Sequence, residues 1–99
     1  MGWASRYIET LKTGSPVSFR PRGNSMAGRI NSGQLVTVSP DLSGLKVNDA
    51  VLCIVKGNEY LHLIKAFDGD RVQIGNNHGF INGWTSLNKI FGVVTKVQN

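Results

Sequence analysis

The chain has 99 residues, a formal net charge of +5, 40% apolar and 17% charged residues, and one cysteine. That length suits a single domain, residues 1–99, because domains average about 100–150 residues, and the composition is that of an ordinary globular protein. One cysteine excludes an internal disulfide framework and a cysteine-rich zinc site, no run reaches the roughly 20 apolar residues of a membrane span, and MGWASRYIETLK lacks the basic-then-apolar order of a signal peptide. A soluble, cytoplasmic protein with no cofactor, metal or membrane partner is therefore expected.

Trp3, Tyr7 and Leu11 recur every four positions with Ile8 beside them, the spacing of one helix stripe. This predicts a short N-terminal helix and cap within 1–14, ended by Gly14, Ser15 and Pro16. From Val17 the pattern changes to short apolar runs cut by turn residues, predicting a β core over 17–97 with strands at 17–20, 34–39, 50–56, 59–67, 71–75 and 91–97. Gly57-Asn58 and Asp68-Gly69-Asp70 read as tight turns. The stretch 39–48 reads as a loop, and Cys53 in AVLCIV as a buried thiol. The expected fold class is mainly β: a compact antiparallel fold with a short N-terminal helix.

Two places carry chemistry. Gly23-Asn24-Ser25-Met26 puts a serine in a glycine-flanked turn, where an exposed hydroxyl lies near free backbone N–H groups, the ingredients of a nucleophile with an oxyanion hole. Most serines in such turns merely bond their own backbone. His62 lies mid-strand between Leu61 and Leu63. Strand alternation points His62 and Ile64 one way and Leu61, Leu63 and Lys65 the other, barring a bulge. The block Gly75 to Trp84, rich in glycine and asparagine, reads as a shaped loop plugged into the core by Phe80, Ile81 and Trp84, or as one bank of a substrate groove beside Ser25.

Taken together, these segments resemble the LexA and signal-peptidase superfamily. Gly23-Asn24-Ser25-Met26, then Ile30, then Gly33-Gln34-Leu35-Val36-Thr37-Val38 look like its nucleophile box. Val47-Asn48-Asp49-Ala50-Val51, the segment from Leu61 to Val72, and Ile90-Phe91-Gly92-Val93-Val94 are similar to its later strand motifs, in the same order. The resemblance covers about 19–97. It implies a peptidase in which Ser25 is the nucleophile, Gly23, Asn24 and Met26 shape its turn, and backbone N–H groups around Ser25 hold the oxyanion. Superimposing Gly69-Asp70 on the family's Gly-Asp puts the general base on His62, as in the Ser-His members of the superfamily; Lys65 is the reserve base and otherwise a solvated charge. The implied substrate is a protein or peptide segment lying as an extended strand beside the site.

The chain departs from the family pattern at Gly28, where a proline is usual, and at Gln34, where an aspartate is. The histidine members orient the imidazole with an acidic residue, whereas this chain offers Asn76, Asn77 or Asn82. The 24 residues before Ser25 read neither as a helix-turn-helix domain nor as a membrane anchor, and hold no Ala-Gly self-cleavage segment. Action on another protein is therefore expected, either as a small Ser-His peptidase or as an inactive relative kept as an interaction module, with a homodimer possible. A rival reading is a basic β-barrel binding nucleic acid, with Arg20, Arg22, Arg29, Lys56, Lys65 and Arg71 on phosphates and Tyr60, Phe80 or Trp84 stacking bases.

Overall fold

The computed structural model describes residues 2–99. Its elements are a helix, α1 (Ser5–Lys12), and the strands β1 (Val17–Phe19), β2 (Leu35–Ser39), β3 (Ala50–Val55), β4 (Asn58–Asp68), β5 (Arg71–Gly75), β6 (Ile81–Ser86) and β7 (Ile90–Gln98), with a 3-10 turn at Leu87–Lys89. The seven strands form one sheet in the order β1-β2-β7-β3-β4-β5-β6, every pairing antiparallel. The mainly β class read from the sequence is the class observed. Among the described residues no helix is long and apolar enough to cross a membrane.

The AVLCIV run is apolar throughout because β3 is buried on both faces. Ala50 and Leu52 join one core, with Ile8 and Leu11 of α1, Phe19, Met26, Ile30, Val36, Val38, Leu61 and Leu63. Val51, Cys53 and Val55 join a second, with Ile64, Val72, Ile74 and Ile90. Burial pushes the Cys53 thiol up to about 12, so it stays protonated and unreactive at neutral pH. The sheet curls until β6 returns toward β3, where Thr85 Oγ1 donates to the Ile54 carbonyl at 2.8 Å.

Four expectations need correction. Trp3 precedes α1 instead of lying on its stripe and is 52% exposed, so the buried face of the helix is made by Ile8 and Leu11. The β3–β4 hairpin turns at Lys56-Gly57, one residue earlier than expected, since Val55 pairs with Asn58 and both turn residues have positive φ (52° and 82°), the pattern of a type I′ turn. The 75–84 block is not a plugged loop: 81–86 is strand β6, and Phe80 and Ile81 are 63% and 43% exposed. Cross-strand pairing with β5 outweighs the low strand propensity of Asn82 and Gly83. Finally, a bulge between Ile64 and Ala66 leaves Lys65 half-buried beside Gly75, not freely solvated.

Helix α1 rests against β7 at Gly92. A Cβ there would overlap Val38 Cγ1 and lie 3.0 Å from both Leu11 Cδ1 and the Ser39 carbonyl oxygen. Gly92→Ala must therefore push α1 or β2 outward, at about 1–3 kcal/mol. The expected result is a thermal midpoint lowered by roughly 4–20 °C in a calorimetric scan, given the usual sensitivity of domains this small; an unchanged midpoint counts against this packing.

Candidate active site

The Ser25 turn sits on an excursion closed at its base by chain-to-chain bonds. Arg20 donates to the Gly33 carbonyl (2.8 Å), Gly33 N–H to the Pro21 carbonyl (2.8 Å), and Gly23 N–H to Ser32 Oγ (3.1 Å). Gly23 has φ of 113°, a value side chains disfavour, which lets the chain turn sharply just before Asn24-Ser25. Met26 and Ile30 then bury their side chains in the first core, while Ile30 N–H and Arg29 N–H both donate to the Met26 carbonyl (2.7 and 3.0 Å). With its neighbour Met26 anchored inward, Ser25 is left lining the open cleft.

A second loop clamps this turn. Asn77 N–H donates to the Ser25 carbonyl (3.0 Å), Asn77 Nδ2 to the Ala27 carbonyl (2.9 Å), and His78 Nε2 to the Asn24 carbonyl (2.8 Å). Asn76 builds that loop: its Oδ1 accepts from the N–H groups of His78 (2.8 Å) and Phe80 (3.0 Å). These contacts are how the 75–84 block borders the serine, although its apolar side chains do not plug the core.

His62 comes from β4, fixed by pairing with Val51 of β3. Its Nε2 lies 3.1 Å from Ser25 Oγ, and its Nδ1 lies 2.7 Å from Asn82 Oδ1 of β6. A carbonyl oxygen only accepts, so Nδ1 carries the proton and donates to Asn82, leaving the Nε2 lone pair to accept from the Ser25 hydroxyl. The imidazole is 7% exposed and lies 4.9 Å from the Tyr60 ring. Burial lowers its pKa below the ordinary histidine value and so favours the neutral ring at neutral pH, although the Asn82 hydrogen bond opposes this in part. Neutral imidazole is the form that can take a proton.

Of the residues singled out in the sequence, Ser25, His62 and Asn82 therefore meet in one hydrogen-bonded line. Asn76 and Asn77 do not reach the imidazole; they hold the turn carrying Ser25. Lys65 lies at the β4 bulge against Gly75 and is not among the residues lining the cleft. Gly23, Asn24 and Met26 form the turn, and among the described residues no hydrogen-bond partner takes the N–H of Ser25 or Met26. Unpartnered N–H groups at a nucleophile's own turn are what an oxyanion site requires.

A groove beside Ser25 was expected with the 75–84 block as one bank, but none of that block lines the observed cleft. That cleft occupies about 560 Å³ and is walled by Trp3, Tyr7, Phe19, Met26, Ile30 and Leu61, with Ser25 and His62 also lining it. Sequence reasoning missed an unpaired strand edge. The two-residue turn makes Asn58, Tyr60 and His62 the residues of β4 that exchange hydrogen bonds with β3, so Glu59 and Leu61 turn their N–H and C=O groups the other way. Pairing with β5 begins only at Leu63. Trp3 Nε1 donates to the Glu59 carbonyl (3.2 Å), and Leu61, the next residue of that phase, lines the cleft. The only local signal was the turn spacing, which sets the hydrogen-bond phase of the hairpin but says nothing of where β5 begins. No protein-family model and no curated protein matches this chain.

Proposed function

We propose that this protein is a small serine peptidase of the Ser-His kind, related to the LexA and signal-peptidase superfamily that its motif order resembles, and acting on extended protein or peptide segments. The observation that carries the reading is the line Ser25 Oγ–His62 Nε2 (3.1 Å) and His62 Nδ1–Asn82 Oδ1 (2.7 Å) at the border of a cleft with a free strand edge. A peptide paired along Leu61 would bring its carbonyl groups past Ser25 in extended form.

The steps follow from these atoms. Ser25 Oγ attacks the scissile carbonyl carbon as its proton passes to His62 Nε2, and the tetrahedral oxyanion accepts hydrogen bonds from the Ser25 and Met26 N–H groups. The imidazolium then gives that proton to the leaving amine as the C–N bond breaks. Water, deprotonated by the same Nε2, releases the acyl group and restores the Ser25 hydroxyl. Asn82 holds the ring in the reactive tautomer throughout but contributes no charge to the imidazolium.

Incubation with a peptide library, read by mass spectrometry for new termini, tests the proposal. New termini are expected with the wild type and not with Ser25→Ala; their appearance with both proteins, or with neither, overturns it.

The pH dependence has a defined sign. Protonating Nε2 removes the base, and burial lowers the His62 pKa, so kcat/KM should fall toward acid with a midpoint below about 6.5, the free histidine value. Linkage runs the same way: the unfolded chain takes up the proton first, so stability is lost as pH falls from about 6.5 through the lowered native value. A kinetic midpoint above the ordinary histidine range would show that another group titrates.

A further inference from the structure

We propose that the cleft selects peptide segments carrying a bulky apolar or aromatic side chain at the residue that pairs with Leu61. The inference rests on the peptidase reading for the kind of ligand, but its grounds are the wall of the cleft and not the serine and histidine.

The free backbone groups of Leu61 fix where an incoming strand pairs, because Trp3 already holds the neighbouring outward carbonyl, that of Glu59. Residues directly opposite each other in a pair of strands present their side chains on the same face. Leu61 belongs to the core that contains Phe19, Met26 and Ile30, and these same residues line the cleft. The side chain opposite Leu61 is therefore carried to that wall.

One wall is aromatic and preassembled, while Arg20, Arg22 and Glu59 line other parts of the cleft. Tyr7 stacks on Phe19 with ring centroids 4.2 Å apart, and Trp3 meets Phe19 edge-on at 5.8 Å. Trp3 is itself held by its bond to Glu59, whose carboxylate accepts from Ala4 N–H and Ser5 Oγ–H (both 2.6 Å). A space of about 560 Å³ with such a lining is in the size range of sites that enclose a sizeable apolar group. Alanine or glycine at this position would leave it largely unfilled, and each methylene missing from a fitted apolar pocket weakens recognition about tenfold or more.

The test separates selectivity from catalysis. Full-length Ser25→Ala protein is titrated into fluorescein-labelled octapeptides that differ at one central residue, Phe, Leu, Ala or Gly, and binding is read by anisotropy. The Phe and Leu peptides are expected to bind at least about tenfold more tightly than the Ala peptide, and Trp3→Ala in the same background should narrow that ratio about threefold. Equal dissociation constants across the series, or no binding to any peptide, overturns the proposal. The wild type is then assayed for cleavage of the same peptides. Cleavage without preference for Phe or Leu overturns the selectivity and leaves the peptidase reading standing. Selective binding without cleavage supports the selectivity and overturns the peptidase reading.

Discussion

Ser25→Ala is expected to lower the cleavage rate at least about 10³-fold, to the level left by binding and the oxyanion donors alone, with the fold unchanged. The variant removes one hydroxyl whose partner, His62 Nε2, borders an open cleft where water can replace it. The stability change should then be under about 0.5 kcal/mol, a shift of no more than a few degrees in thermal midpoint. His62→Ala should lose activity to a similar extent, and the double variant should be no worse than either single one, because the two side chains perform one proton transfer. Lys65→Ala should keep most of the activity. Equal loss in Lys65→Ala and His62→Ala would move the base to the bulge and contradict the proposed mechanism, whereas additive losses in the Ser25 and His62 variants would show that they act separately.

Asn82→Asp is expected to increase activity, on the order of 10- to 100-fold in kcat, and to move the acid midpoint of the pH profile upward. A carboxylate at 2.7 Å from Nδ1 would keep the tautomer that Asn82 already sets and add the negative charge that stabilises the imidazolium. The two readouts together separate this mechanism from a merely structural effect: a negative charge beside Nδ1 raises both rate and midpoint, whereas looser packing, by hydrating the ring, raises the midpoint without raising kcat. A carboxylate that leaves both rate and midpoint unchanged would mean that Asn82 does not hold His62 during turnover. With asparagine in that place the ring is held neutral. Burial opposes charge on His62, and an asparagine partner offsets this only in part.

Much of the architecture is written in local pattern. The break at Gly14-Ser15-Pro16, the alternation in β5 over Arg71–Gly75 and the uniform apolarity of β3 are visible in the sequence because each reflects a neighbourhood of a few residues. Strand β6 was not visible. Asn82 and Gly83 disfavour strands, and only the β5 backbone and the returning edge of β3 make that conformation the stable one. The N-terminus of α1 was equally hidden: its first turn has no acidic residue, and the carboxylate that serves Ala4 and Ser5 comes from Glu59 on β4.

For the site, residue order alone shows a serine in a turn that glycine can make, a histidine inside a strand, and three asparagines as candidates to orient that histidine. Which of them meet is a matter of long-range folding. Ser25 and His62 are 37 positions apart and Asn82 another 20, and no local rule carries a side chain across such intervals. The register of β4 against β3, the late start of β5 and the fold-back of β6 bring the three groups into line and leave the β5-side edge of Leu61 without a partner strand beside them. Residue type fixes what chemistry each group can perform, whereas their alignment is set by long-range strand pairing, whose hydrogen bonds depend on both partners at once and so cannot be read from either segment alone.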